Sequence, residues 1–296
     1  MATLTGTNKT SAAKRWKIAT YGASHGSKSR REAAPQGRKK QSSFTVPPEL
    51  QILPLPLSDE IHSGDSLADK LLASLRRCPY QFQAGDILVV KHKIVSKSEG
   101  RLVNLSTIKP SVASRAWAKK YDLDARVIEL AMRESQAVIR RKNGVLITAT
   151  RHGFLCANSG VDVSNVDGGR HALLLPADPD RSAHKLYREL KKRSGVAIPV
   201  LITDSFGRPW REGLVDFCIG IAGMKPVRDD RGRRDRHGYE LHASLEAVAD
   251  ELAAAAGLVC GKLNRTPACI IRGFPYESGP GRASDLLRPA DSDLFR

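Results

Sequence analysis

The 296-residue chain has five cysteines, Cys78, Cys156, Cys218, Cys260 and Cys269, and no C-x-x-C pair among them. An odd, scattered set argues against both a disulfide framework and a thiolate zinc site, so the thiols are expected to be reduced and mostly packed. No run of about 18 apolar residues exists to cross a bilayer, and no apolar stretch near the N-terminus is followed by small residues as in a secretion signal. A cytosolic protein without a membrane partner is expected. Neither G-x-x-x-x-G-K followed by Ser or Thr, nor G-x-G-x-x-G after a strand, occurs in the chain. Their absence argues against P-loop and Rossmann folds. Aromatic residues make up only 5%, too few to interleave with basic ones as a single-stranded nucleic-acid platform requires.

Acidic residues are also short, at 31 Asp and Glu against 48 Lys and Arg, leaving a formal charge of +17. Such a balance favours anionic partners: nucleic acid, nucleotide phosphates or acidic small molecules. Residues 1–50 hold ten Lys and Arg against Glu32 and Glu49, so +8 of the +17 lies there. Residues 1–48 lack a sustained apolar period and are expected to form a disordered basic tail. With 41% hydrophobic residues, the rest has ample material for a core.

From residue 49 to 274 strands and helices interleave, which predicts a mixed α and β domain. Strands are expected at 51–57, 86–95, 145–150, 171–175, 200–204, 216–223 and 268–271. Helices are expected at 66–77 behind a Ser66 cap, 111–120, 124–141 and 178–192 with Gly195 as its stop. One more is expected from Ser244 to Ala256, closed by Gly257. Residues 275–296 return to Pro, Gly, Ser and Asp and are expected to form a loose tail.

Four stretches carry polar chemistry. Asp204-Ser205, with Arg208 and Arg211 a few residues on, sets hard oxygen donors beside fixed cations, as a metal-bound phosphate requires; the alternative is a helix cap with solvated arginines. Ser96-Lys97-Ser98 suits a phosphate contact or a charged hairpin turn. Asp162 and Asn165 suit a metal and a nucleotide respectively, or an Asx-turn. Residues 228–239, with no apolar face, read as a solvated loop or an anion-binding lid.

Four segments, in one order, resemble the coenzyme F420-0:γ-glutamyl ligase family: Lys93 to Arg101, Asn158 to Asn165, Thr203 to Arg211 and Val248 to Ala256. The resemblance spans about residues 53–274. It implies an α+β fold of two intertwined mixed α/β domains and a homodimer. It also implies a GTP-dependent ligase that joins L-glutamate to coenzyme F420-0, then adds further glutamates through γ-linkages. Mg²⁺ or Mn²⁺, with K⁺ as a further candidate, would be the cations. By the same resemblance Asp162, Asp204 and Ser205 would hold metal, and Lys93, Lys97, Asn165, Gly261 and Lys262 would meet the nucleotide. Asp204, Arg208 and Arg211 would serve catalysis. Some relatives place a carboxylate or amide where Lys262 stands, so either one metal site is lost here or Lys262 takes over part of its charge. His237-Gly238-Tyr239-Glu240 replaces the more usual Tyr-Gly-Arg-Glu. Two alternatives stay open: a related amide ligase for another acid, and a basic nucleic-acid-binding protein.

Overall fold

Two short apolar runs, Ile87-Leu88-Val89-Val90 and Val200-Leu201-Ile202, are buried on both faces and lie side by side as a parallel pair in the main sheet, the only one among the described residues. Continuous rather than alternating hydrophobicity is what such a doubly covered position demands. The computed structural model describes residues 49–164 and 166–293. In the first half, β1 (Gln51–Leu55), α1 (Leu67–Leu75), β2 (Ile87–Lys91) and α2 (His92–Ser98) lead to β3 (Leu102–Asn104), α3 (Val112–Tyr121) and α4 (Ala125–Glu134). Then come β4 (Ser135–Lys142), β5 (Val145–Thr150), β6 (Leu155–Ala157) and β7 (His171–Leu173). The second half runs through α5 (Pro179–Ser194), β8 (Val200–Arg208), β9 (Arg211–Ala222), β10 (Arg228–Asp229), β11 (Leu245–Glu246), α6 (Val248–Cys260) and β12 (Ala268–Arg272).

The main sheet has the order β1-β12-β2-β8-β9. Helices α1 and α5 supply Leu71, Leu75, Leu186 and Leu190 to one of its cores, with Leu88, Val90, Val200 and Ile202 from the strands. Helix α6 supplies Val248, Leu252 and Ala256 to the other, with Val89, Leu201 and Ile271. Pro54 is tolerated because β1 is an edge strand. Between α2 and α5 the chain leaves this sheet and builds a smaller lobe. There β4-β5-β6 and β3-β7 form separate sheets, and Leu105, Leu130, Leu146, Ala172 and Leu174 share a third core. The fold is therefore mixed α/β, with six α-helices among the described residues.

Local signals hold where capping chemistry is explicit. Ser66, Ser111 and Asp178 accept hydrogen bonds from Asp69, Ser114 and Arg181 N–H at the starts of α1, α3 and α5, and Gly195 ends α5 at φ 75°. They fail where a tertiary contact takes over. The strand expected at 86–95 stops at Lys91, and residues 92–98 form α2, burying His92, Ile94, Val95 and Ser96. The helix expected at 124–141 stops at Glu134. Asn143 and Gly144, at φ 49° and 78°, make a tight hairpin turn that draws residues 135–142 into a ladder with β5.

Three further differences bear on the site. Strand β8 does not end at Asp204 but runs on to Arg208, turns at Pro209-Trp210 and pairs along β9, which starts at Arg211 rather than Asp216. Helix α6 begins at Val248 without a side-chain cap and passes through Gly257 to Cys260. Gly257 is no stop but a close approach: a Cβ there would lie 2.8 Å from Asp216 Oδ2. Residues 275–293, expected to be loose, are tied down where Ala283, 2% exposed, donates its N–H to Asp180 Oδ1 at 3.0 Å. The basic segment 1–48 lies outside the described residues.

Candidate active site

The parallel pair sets the site. Lys91 stands opposite Thr203, so the residues that follow each, His92-Lys93 on one side and Asp204-Ser205 on the other, emerge together where the parallel pairing of β2 and β8 stops, at the carboxyl end of β2 and partway along β8. Crevices at such strand ends are where open α/β sheets bind ligands. Here a cleft of about 730 Å³ opens, completed by residues 57–61, the loop from Gly261 to Pro267, and Asp162 from the smaller lobe.

Because α2 is a helix, Lys93 and Lys97 fall on one face at i, i+4 spacing and both reach the cleft. Lys93 Nζ lies 2.7 Å from Asp162 Oδ2 and also bonds Ser164, at 3.0 Å to its carbonyl and 2.9 Å to its hydroxyl. The other Asp162 oxygen accepts the Ser164 N–H at 2.6 Å. Burial pushes the Asp162 carboxyl up, but Lys93 and Ser164 together outweigh it and hold the group below the usual carboxylate range. Asp162 is placed by a backbone bridge to Leu173, with bonds of 3.0 and 2.8 Å. Lys97 pairs with Glu60.

On β8, Asp204 Oδ1 accepts the Ser205 N–H at 2.7 Å and lies 3.2 Å from His92 Nε2. That approach brings the groups within electrostatic range yet off the line of a hydrogen bond, so Nε2 stays unpartnered in a side chain only 2% exposed. The neighbouring Thr203 hydroxyl is likewise buried without a partner among the described residues. Ser205 Oγ donates to Asp216 Oδ1 at 2.5 Å. Burial, with the Asp204 charge nearby, pushes the Cys156 thiol up to about 12, so it stays neutral.

The cleft thus gathers Lys93, Lys97, Asp162, Asp204, Ser205, Gly261 and Lys262. Arg208 and Arg211 are not brought to it. They flank the hairpin turn, where Arg208 Nη2 donates to the Glu212 carbonyl at 3.1 Å and Arg211 is exposed. Asn165 lies outside the described residues. His237 and Tyr239 are exposed in the loop between β10 and β11, away from the cleft lining. Lys91, His92, Glu60 and Arg265, which line the cleft, and Asp216 behind it carry no motif in the sequence that marks them for the site. A charged residue inside an apolar strand is the available signal for Asp216, and closeness in sequence to Lys93 for His92, its neighbour, and Lys91, two residues before it. Two carboxylates and a hydroxyl lining one cleft are an all-oxygen donor set suited to a hard divalent cation. No group of three or more His, Cys, Asp or Glu side chains is assembled for a metal among the described residues.

A mixed α/β fold with carboxylates and ammonium groups facing each other beyond a parallel strand pair is the frame of an enzyme that handles anions. Residues 57–273 match the model of the family described as F420-0:Gamma-glutamyl ligase. Coenzyme F420:L-glutamate ligase of Methanopyrus kandleri is 41% identical over 254 residues, covering 84% of this chain and 98% of that protein. The protein of the same name from Methanothermobacter thermautotrophicus is 42% identical over 239 residues, 80% and 94% of the two chains. The one from Archaeoglobus fulgidus is 36% identical over 248 residues, 83% and 96%. The chain belongs to the F420-0:γ-glutamyl ligase family and is a ligase. No helix among the described residues is long and apolar enough to cross a membrane.

Proposed function

We propose that the protein joins L-glutamate to coenzyme F420-0 at the expense of GTP and then adds further glutamates through γ-linkages. The observation that carries this reading is the meeting of Lys93, Lys97 and Lys262 with Asp162, Asp204 and Ser205 in one cleft. Such a lining suits a nucleotide triphosphate and a carboxylate acid together.

A carboxylate resists attack by an amine until it is activated. In the proposed sequence an oxygen of the acceptor carboxylate attacks the γ-phosphorus of GTP, the bond to the β-phosphate oxygen breaks, and GDP leaves. The glutamate amine then attacks the acyl carbon, loses a proton, and expels inorganic phosphate. Neither step needs a covalent bond to the protein, whose task is positioning and charge neutralisation.

Lys93 and Lys97 now spend their charge on Asp162 and Glu60. In the complex they would turn part of it to phosphate oxygens. Asp162, Asp204 and Ser205 would hold Mg²⁺ or Mn²⁺, which supplies charge neutralisation and a template for those oxygens. Lys262, on the cleft wall, would add positive charge at a position where a further carboxylate ligand would otherwise stand. The family's homodimer and cytosolic setting belong to the same proposal.

Mass spectrometry of purified protein with F420-0, GTP, Mn²⁺ and L-glutamate tests the reading. Increments of one glutamyl residue, absent without GTP, are expected. No increment in a protein that binds GTP and Mn²⁺ would overturn F420-0 as acceptor and favour another acid.

A further inference from the structure

Asp216 takes no part in the chemistry above, yet two cleft residues depend on it. It stands directly opposite Ser205 in the β8–β9 ladder, and its side chain is 5% exposed. Oδ1 accepts the Ser205 hydroxyl at 2.5 Å, while Oδ2 is paired with the Lys91 ammonium. Ser205 and Lys91 both line the cleft, whereas Asp216 sits behind its wall. The carboxylate has no room to swing, because α6 passes it at Gly257, where even a methyl group would come to 2.8 Å from Oδ2.

The donor inventory gives this arrangement a consequence. A serine hydroxyl has one proton and two lone pairs, and a lysine ammonium has three protons and no lone pair. With its proton committed to Asp216, Ser205 offers the cleft only lone pairs. With one proton committed, Lys91 offers two donors. One buried carboxylate thus gives two neighbouring groups opposite characters, a ligand for a cation and a clamp for an anion.

We propose that Asp216 is a positioning residue. It turns Ser205 to present lone pairs to a bound divalent cation and aims Lys91 at the phosphate which that cation carries. The inference rests on the ligase reading above. Outer hydrogen-bond partners of this kind orient metal ligands, and their loss typically weakens metal affinity by about 10–100-fold.

The test is Mn²⁺ titration followed by electron paramagnetic resonance of the free ion. It compares the wild type with Asp216→Asn, Ser205→Ala and the double variant, and circular dichroism confirms folding. Asp216→Asn is expected to weaken Mn²⁺ binding by about 10-fold or more. The double variant should lose no more than the worse single, because in the absence of phosphate Asp216 reaches the cation through Ser205, while its hold on Lys91 bears on the phosphate. Wild-type affinity in Asp216→Asn, or losses that add, would overturn the proposal. If Asp216→Asn does not fold, Gly257→Ala displaces the carboxylate while keeping its charge. Weakened Mn²⁺ binding is then expected, and unchanged binding counts against the role. A wild-type protein that binds no Mn²⁺ would remove both the metal and this role. One that binds Mn²⁺ but does not extend F420-0 would overturn the reaction, and the variants would still decide the role of Asp216.

Discussion

Lys93 of α2 and Asp162 of the smaller lobe meet at 2.7 Å, joining α2 to the lobe in the lining of the cleft. The contact satisfies a carboxylate that burial would otherwise push up, and it places an ammonium where a nucleotide phosphate is proposed to lie. Replacing Lys93 by Met keeps the apolar stem and removes the charge. Calorimetric GTP binding is expected to weaken by about 10-fold or more, the scale of one lost hydrogen bond to a charged group. Unchanged affinity would remove Lys93 from the nucleotide site.

Asp204 supplies an oxygen at the end of the parallel pair and packs beside His92. Asp204→Ala is expected to nearly abolish glutamyl transfer in the mass-spectrometric assay while leaving the circular dichroism unchanged. Full activity would remove Asp204 from the proposed metal site.

Glu129 ties α4 to the start of α3. It accepts the Ser111 N–H and the Ser114 hydroxyl at 2.9 Å each, and Arg133 Nε at 3.1 Å. The Ser111 N–H, then the two serine hydroxyls and Arg133, hold its carboxyl down at about 2 against an ordinary 4.5. The folded-state value lies below the unfolded one. The stabilisation is therefore present in full above about pH 4.5 and is lost as pH falls through about 2. Thermal unfolding followed from pH 6 to pH 2 should show Glu129→Gln least stable relative to wild type at the upper end, the gap closing as pH falls. A gap independent of pH would contradict this.

Gly220 lies under the first turn of α5, where an added Cβ would come to 2.4 Å from the Pro179 carbonyl. Backbone on both sides leaves no flexible atom to yield. Gly220→Ala is expected to cost about 1–3 kcal/mol, the range for overpacking, and to lower the melting temperature by several degrees. A melting temperature within about one degree of wild type would show that α5 can shift.

Sequence alone determined the elements whose signals lie within a few residues: α5 between Asp178 and Gly195, the apolar runs of β2 and β8, and the oxygen-bearing Asp204-Ser205 that follow the second of them. Four co-ordered segments were enough to point to the family. Tertiary structure decided the rest, because the decisive partners are far apart in the chain or depend on strand register. Residues 92–98 became a helix by burying one side against the core, which β-rich composition could not foretell. Lys93 finds Asp162 from the smaller lobe, and Lys91 finds Asp216 from 125 positions away. Ser205 meets Asp216 only because β8 continues past Asp204 and folds back as β9. A short sequence window records what a backbone prefers; which side chains face one another is settled when strands pair and helices pack over them.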